Sequence, residues 1–231
     1  MIEFKNVFKQ YSDDIIASND INIRIDQGEF VYVVGPSGAG KSTFIKMMYY
    51  EEQATSGEIT VNNFQLQTMK PKEVPFLRRD LGIVFQDFKL LPRLTIFENI
   101  AYALEVIEKE PAEIKERVDY VLDLVDLADK SDKFPEELSG GEQQRIAIAR
   151  AVANKPEVLI ADEPTGNLDP ETSDDIMAIL EKVNKQGTTV IMATHNSIIV
   201  NKYPHRLLAI EDGRIARDEE GGKYGYENEN V

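Results

Sequence analysis

Two runs of this chain carry residue types that handle phosphate. The first is Gly35-Pro36-Ser37-Gly38-Ala39-Gly40-Lys41-Ser42-Thr43. Glycines let backbone N–H groups turn toward an anion, and a helix that follows adds a favourable dipole end. Lys41 would reach the β- and γ-phosphates of a bound nucleotide, and the Ser42 hydroxyl would ligate Mg²⁺. The second run is Val158-Leu159-Ile160-Ala161-Asp162-Glu163. Four apolar residues make a buried strand, and two carboxylates leave its C-terminal end, where open α/β sheets bind ligands. Asp162 would hold the Mg²⁺ shell, and Glu163 would orient and deprotonate an attacking water. An apolar run closed by Asp-Glu is common by itself; beside a phosphate loop it reads as hydrolytic.

Such residues need strand ends and helix starts to hold them. Phe30 to Val34 is a compact apolar run suited to a buried strand, and Ser42 to Tyr50 is a plausible helix after the loop. Residues 1–30 read as short strands, with alternation in Ile21-Asn22-Ile23-Arg24-Ile25. Residues 57–66 read as a hairpin turning at Asn62-Asn63. From about 87 to 150 the pattern is helical, and Ile114, Val118, Val121, Leu122 and Val125 share one face. Further strands are expected at 158–161, 189–193 and 207–210, with a helix between the first two that starts near Pro170 and ends before Gly187. This alternation implies a mostly parallel sheet flanked by helices. Arg217 to Val231 is acidic and apolar-poor, and reads as a mobile tail.

The 231 residues suffice for one large α/β domain and not two. No apolar run approaches a membrane span of about 18 residues, and no signal peptide opens the chain. There are no cysteines, which excludes disulfides and thiolate metal sites and fits a cytoplasmic protein. A formal charge of −15 argues against a surface that tracks nucleic-acid phosphates. It also requires the nucleotide site to be a local positive pocket.

Leu138-Ser139-Gly140-Gly141-Glu142-Gln143-Gln144-Arg145 narrows the choice. With this run the chain resembles the ATP-binding cassette (ABC) family, over roughly Met1 to Asp218. The resemblance implies a P-loop ATPase with a RecA-like parallel-sheet core and an N-terminal antiparallel β subdomain. It implies an α-helical subdomain inserted at about 87–150, one cassette over 1–218, and a tail at 219–231. Two copies would sandwich two ATP molecules head to tail, so that Ser139, Gly140 and Gly141 touch the γ-phosphate held by the other copy. Two glycines at a helix start expose N–H groups to an anion, in keeping with that role. The helix is expected over Glu142 to Ala153. Glu142 stands where the family commonly has Gln, and would bring a carboxylate near that phosphate. Gln86 matches the glutamine that senses Mg²⁺ and water, and Asn167-Leu168-Asp169 the loop that crosses the dimer interface. His195 matches the histidine that contacts the γ-phosphate. Tyr11 lies where an aromatic stacks on adenine, although a tyrosine there is by itself more often a packing residue. His205 has no such match and reads as structural or exposed.

The resemblance also implies a membrane partner. Phe85, Asp87, Phe88, Leu90, Leu91 and Pro92, with Thr95, Ile96 and Asn99 nearby, would receive its coupling element; some of them would otherwise pack the helical subdomain. Ala161 to Asp169 resembles the branch that signals across membranes, which includes lipoprotein-releasing, macrolide-export and cell-division ATPases. Val84 to Pro92 and Met192 to Asn196 look most like the cell-division type, as does the short acidic tail. That type pairs with a four-span membrane protein at the cytoplasmic face and switches on peptidoglycan hydrolases outside the cell. ATPase subunits of transporters share every catalytic residue and remain the alternative. The gap from Ser42 to Leu138 is too short for the coiled coil of DNA-maintenance relatives.

Overall fold

The computed structural model describes residues 1–12, 15–166 and 168–225. In chain order the strands and helices are β1 (Ile2–Ser12), β2 (Ile15–Ile25), β3 (Phe30–Val34), α1 (Lys41–Met48), β4 (Ser56–Val61), β5 (Phe64–Gln65) and α2 (Val74–Arg79). There follow β6 (Leu81–Val84), α3 (Ile96–Glu105), α4 (Pro111–Leu124), α5 (Gly140–Val152), β7 (Val158–Asp162) and α6 (Pro170–Lys185). The chain ends with β8 (Thr189–Ala193), α7 (Ser197–Lys202), β9 (Arg206–Glu211) and β10 (Arg214–Glu219). Two compact units result, one of residues 1–78 with 189–231 and one of residues 79–188.

In the first unit, β3 and β8 are buried at every position, as parallel strands covered on both faces must be. β3 pairs in parallel with β8 on one side and β9 on the other, and β10 closes this edge antiparallel to β9. A second, antiparallel sheet runs β2-β1-β4-β5. Ile21, Ile23 and Ile25 point inward while Asn22 and Arg24 face out, the alternation read from sequence. β1 and β2 are longer than expected because four register shifts let one ribbon continue through irregular residues. Phe44 of α1 packs on Phe4 of β1 with ring centroids 4.7 Å apart, which fixes the helix that follows the phosphate loop.

The second unit pairs β6 and β7 in parallel and packs α3, α4, α5 and α6 around them. Ile114, Val118, Val121, Leu122 and Val125 are all buried. Arg117 donates to the carbonyls of Val152 and Ala153 at 2.8 Å each, capping the C-terminus of α5.

The tail begins later than composition suggests. Arg217 and Asp218 lie within β10, and Asp218 accepts two 2.8 Å bonds from Arg206, which also pairs with Glu29 at 2.8 Å. Beyond the strand, Arg217 holds the Gly225 carbonyl at 2.7 Å, and Tyr224 N–H donates to Asn201. Charge and glycine content mislead here because paired arginines, not apolar burial, hold the segment. Residues 226–231 lie outside the described residues. Among the described residues no helix is long and apolar enough to cross a membrane.

Candidate functional site

The phosphate loop leaves β3 at Val34 and enters α1 at Lys41. Gly40 is the N-cap, with φ of 104° and no side chain to cap the helix. A methyl group there would also run into the Ala17 carbonyl, so only glycine fits. With no capping side chain, the first N–H groups of α1 remain available to an anion. Pro36, Ser37, Gly38 and Ser42 are exposed, Gly35 and Thr43 are half-buried, and Ala39 is buried. Lys41 Nζ donates to the Gly35 and Pro36 carbonyls at 2.7 and 2.9 Å, placing its charge across the loop.

Val33 of β3 pairs with Ala193 of β8, so Gly35 and His195 each lie two residues beyond a paired position at the ends of neighbouring strands. His195 is exposed between the buried Thr194 and Asn196, whose side-chain oxygen caps α7 by accepting from the Ile198 and Ile199 N–H groups. Asn serves as well as Asp in that capping role. Tyr11 is 48% exposed. Its hydroxyl lies 3.2 Å from Thr43 Oγ1, and the Lys9 ammonium sits 4.6 Å from the ring centroid. The ring is thus tied to α1 and carries a cation on one face. His205 stacks on Phe30 at 4.1 Å and is a packing residue.

The second unit repeats this geometry. Val84 of β6 pairs with Ala161 of β7, so Gln86 and Glu163 both stand two residues past paired ends. Glu163 has φ of 50°, a costly conformation for a non-glycine residue, and its carbonyl accepts the Gly166 N–H at 2.9 Å. A side chain at Gly166 would meet that carbonyl at 3.1 Å and Gln86 Nε2 at 3.8 Å, which places Gln86 against the turn that presents Glu163.

The helix after Leu138 starts at Gly140, two residues before the expected Glu142. The reason is a capping box. Glu142 accepts from both the N–H and the hydroxyl of Ser139 at 2.8 Å, and its own N–H returns to Ser139 Oγ at 3.3 Å. These bonds hold the Glu142 carboxyl below the usual range. Ser139-x-x-Glu142 was the available sequence signal for this start. Asp169 caps α6, accepting from the Thr172 N–H at 3.0 Å and its hydroxyl at 2.6 Å. The methyl of Thr172 lies where a side chain at Gly141 would go, so the two helix starts touch. Sequence reasoning missed Thr172. Asn167 lies outside the described residues.

Phe85, Phe88 and Leu90 are half-buried, and Asp87, Leu91 and Pro92 exposed. Ile96 and Asn99, expected beside them on the surface, are fully buried, and Thr95 caps α3. Asn99 accepts from Leu91 N–H at 2.7 Å and donates to the carbonyls of Leu91, Leu94 and Thr95 at 2.9–3.1 Å. It is the peg of this loop rather than part of its surface. Asn99→Leu keeps the branched shape and removes the side-chain partner of the Leu91 N–H and the Leu94 carbonyl; we expect a loss of about 2–3 kcal/mol, read from the urea midpoint.

Strand-end phosphate loop, Asp-Glu strand and Ser-Gly-Gly helix start together define an ATP-hydrolysing cassette, and the chain belongs to the ABC transporter family, whose pattern matches residues 18–166. It is 61% identical to the cell division ATP-binding protein FtsE of Bacillus subtilis, covering 97% of this chain and 99% of that one. It is 51% identical to FtsE of Mycobacterium tuberculosis, over 97% and 98% of the two chains. Among solved structures, a dimeric bacterial ABC transporter cassette, MJ0796, has a TM-score of 0.86 at 38% identity, covering 97% of this chain and all of that one. A second structure of MJ0796 is a post-hydrolysis dimer bound to ADP and Pi, with a TM-score of 0.86 at 36% identity, again over 97% of this chain and 100% of that one.

Proposed function

We propose that this chain is the ATPase subunit of an FtsE-type division complex at the cytoplasmic face of a bacterial membrane. It works as an ATP-dependent head-to-tail homodimer, paired with a four-span membrane protein of the FtsX type whose outer face activates peptidoglycan hydrolases at the division site. The observation that carries this reading is similarity to FtsE proteins over 97% of this chain and 98–99% of theirs. Recruitment of nucleic acid is disfavoured by the charge of −15.

Each residue has a task in this reading. Backbone N–H groups of Gly35 to Thr43 cradle the phosphates, with Lys41 on the β- and γ-oxygens and Tyr11 against adenine. Glu163 accepts a proton from the attacking water as its oxygen bonds to the γ-phosphorus and the bond to the ADP oxygen breaks. Gln86 orients that water, and His195 donates to the γ-phosphate. Ser139, Gly140 and Gly141 of the second copy close over the same phosphate, and Asp169 crosses beside them. The donors offered to a cation are the oxygens of Ser42, Gln86 and Asp162. Such hard donors suit Mg²⁺, and no cluster of three His, Cys, Asp or Glu among the described residues would hold a metal alone. Mg²⁺ therefore fits as the companion of ATP, supplying charge neutralisation at the phosphates. Phosphate release then opens the dimer, and the 85–92 segment passes the motion to the partner.

Glu163→Gln, purified with ATP from solubilised host membranes, is expected to bring down a four-span protein with a large outer loop. Adding Phe88→Ala is expected to lower its recovery about tenfold, as loss of an aromatic anchor does. Recovery of a permease with a solute- or lipoprotein-binding protein would make this chain a transporter subunit instead.

A further inference from the structure

The segment after Gln86 contains an unusual pair. Phe88 and Lys89 are consecutive bulky residues with φ of 60° and 51°. Left-handed residues of this kind normally occur singly, and most often as Gly, Asn or Asp. Local bonds contribute: Phe88 N–H reaches the Phe85 carbonyl at 3.2 Å, and the Lys89 ammonium meets Asp87 at 2.6 Å. The remaining support comes from far along the chain. Arg150, in the last turn of α5, donates Nη1 to the Lys89 carbonyl at 2.7 Å and Nη2 to the Phe88 carbonyl at 2.9 Å. Burial lowers the pKa of this guanidinium, the mark of a desolvated charge that depends on its partners. The planar fork matches two adjacent carbonyls, as a lysine could not.

α5 is a continuous helix from Gly140 to Val152, capped by Ser139 and Glu142 at one end and by Arg117 at the other. From Ser139 to Arg150 it spans about 16 Å at the α-helical rise. We infer that Arg150 is a positioning residue for ATP hydrolysis: its fork locks the left-handed pair at Phe88 and Lys89 to α5, so that the partner-facing loop and the Ser139–Gly141 helix start move as one piece. This rests on the proposed roles of those two segments. A displacement of the loop by a docked partner is then delivered to the phosphate of the opposite ATP, without passing through side-chain packing that can relax.

The test uses the full chain and steady-state ATP hydrolysis. Arg150→Lys retains the charge and loses the planar two-nitrogen fork. It is expected to lower kcat about tenfold and leave KM for ATP within about twofold, because orientation at the reacting phosphate is lost while loading on the phosphate loop is not. Lys89→Gly adopts a positive φ without a clamp, so combining it with Arg150→Lys is expected to recover at least half of kcat. A residue that merely filled space in α5 would show no such rescue. Lys89→Val, which opposes the left-handed conformation and leaves α5 intact, is expected to reproduce the kcat loss, and it carries the test if Arg150→Lys does not fold. Wild-type kcat in both Arg150→Lys and Lys89→Val, or a deficit that Lys89→Gly leaves untouched, overturns the inference. Ser139→Ala run alongside separates the two levels. If it lowers kcat while Arg150→Lys does not, only the clamp is wrong; if it is silent, the role of the helix start is wrong and the clamp falls with it.

Discussion

Glu163→Gln is expected to cut ATP turnover by at least about 10²-fold while ATP still binds, the scale of losing a positioned general base. The substitution keeps the side-chain size and removes only the carboxylate proposed to take the proton from water. The backbone is the reason to expect a specific effect. Glu163 sits at φ of 50°, in a turn closed by the Gly166 N–H, and a residue with a Cβ gains nothing from that conformation. Backbone strain of this type persists where it aims a functional group. Glutamine bears the same strain, so the melting temperature is expected to stay within about 1 °C, since only a stability change of a few tenths of a kcal/mol is in play. With hydrolysis blocked, ATP is expected to shift the chain to a dimer by size-exclusion chromatography. Near-normal hydrolysis would remove Glu163 as the base. Lost turnover with no ATP-dependent dimer would count against the head-to-tail arrangement.

What the sequence makes legible is local. The phosphate loop, the buried strand before Asp162, and the limits of α6 at Pro170 and Gly187 each depend on a few contiguous residues, and each is found where those residues put it. The turn at Asn62-Asn63 is of the same kind, with Asn62 at φ of 51°. What is not legible depends on partners distant in sequence. Asn99 looks like a polar surface residue until the backbone from Leu91 to Thr95 folds over it. The left-handed pair at Phe88 and Lys89 has no local signature, because a side chain 61 residues away helps hold it. β10 is hidden by its own charges, of which Asp218 meets Arg206 only in the folded chain. The start of α5 is an intermediate case: the capping pair is present in the sequence, and the glycines that draw attention to phosphate binding obscure it.

The contact between the two helix starts gives the second large effect. Gly141→Ala is expected to lower turnover about 10²-fold, the cost of small misplacements at a reacting centre. By helix propensity alone, alanine would stabilise α5 by about 1 kcal/mol. The opposing term is an overlap with the Thr172 methyl, and overpacking costs about 1–3 kcal/mol. The overlap wins because Thr172 has nowhere to go. It is β-branched and stiff at χ1, and its hydroxyl is tied to Asp169 at 2.6 Å. Relief must come from α5 backing away or from the Asp169 cap letting go, and either moves a segment proposed to meet the opposite copy. Thr172→Ser removes the methyl and retains the hydroxyl that holds Asp169. Added to Gly141→Ala, it is expected to restore most of the turnover and to let the propensity gain appear as a raised melting temperature. A Gly141→Ala enzyme that works normally would show that α5 yields without cost. An inactive one that Thr172→Ser cannot rescue would move the requirement for glycine from this contact to the phosphate itself, where only a bare backbone N–H can approach.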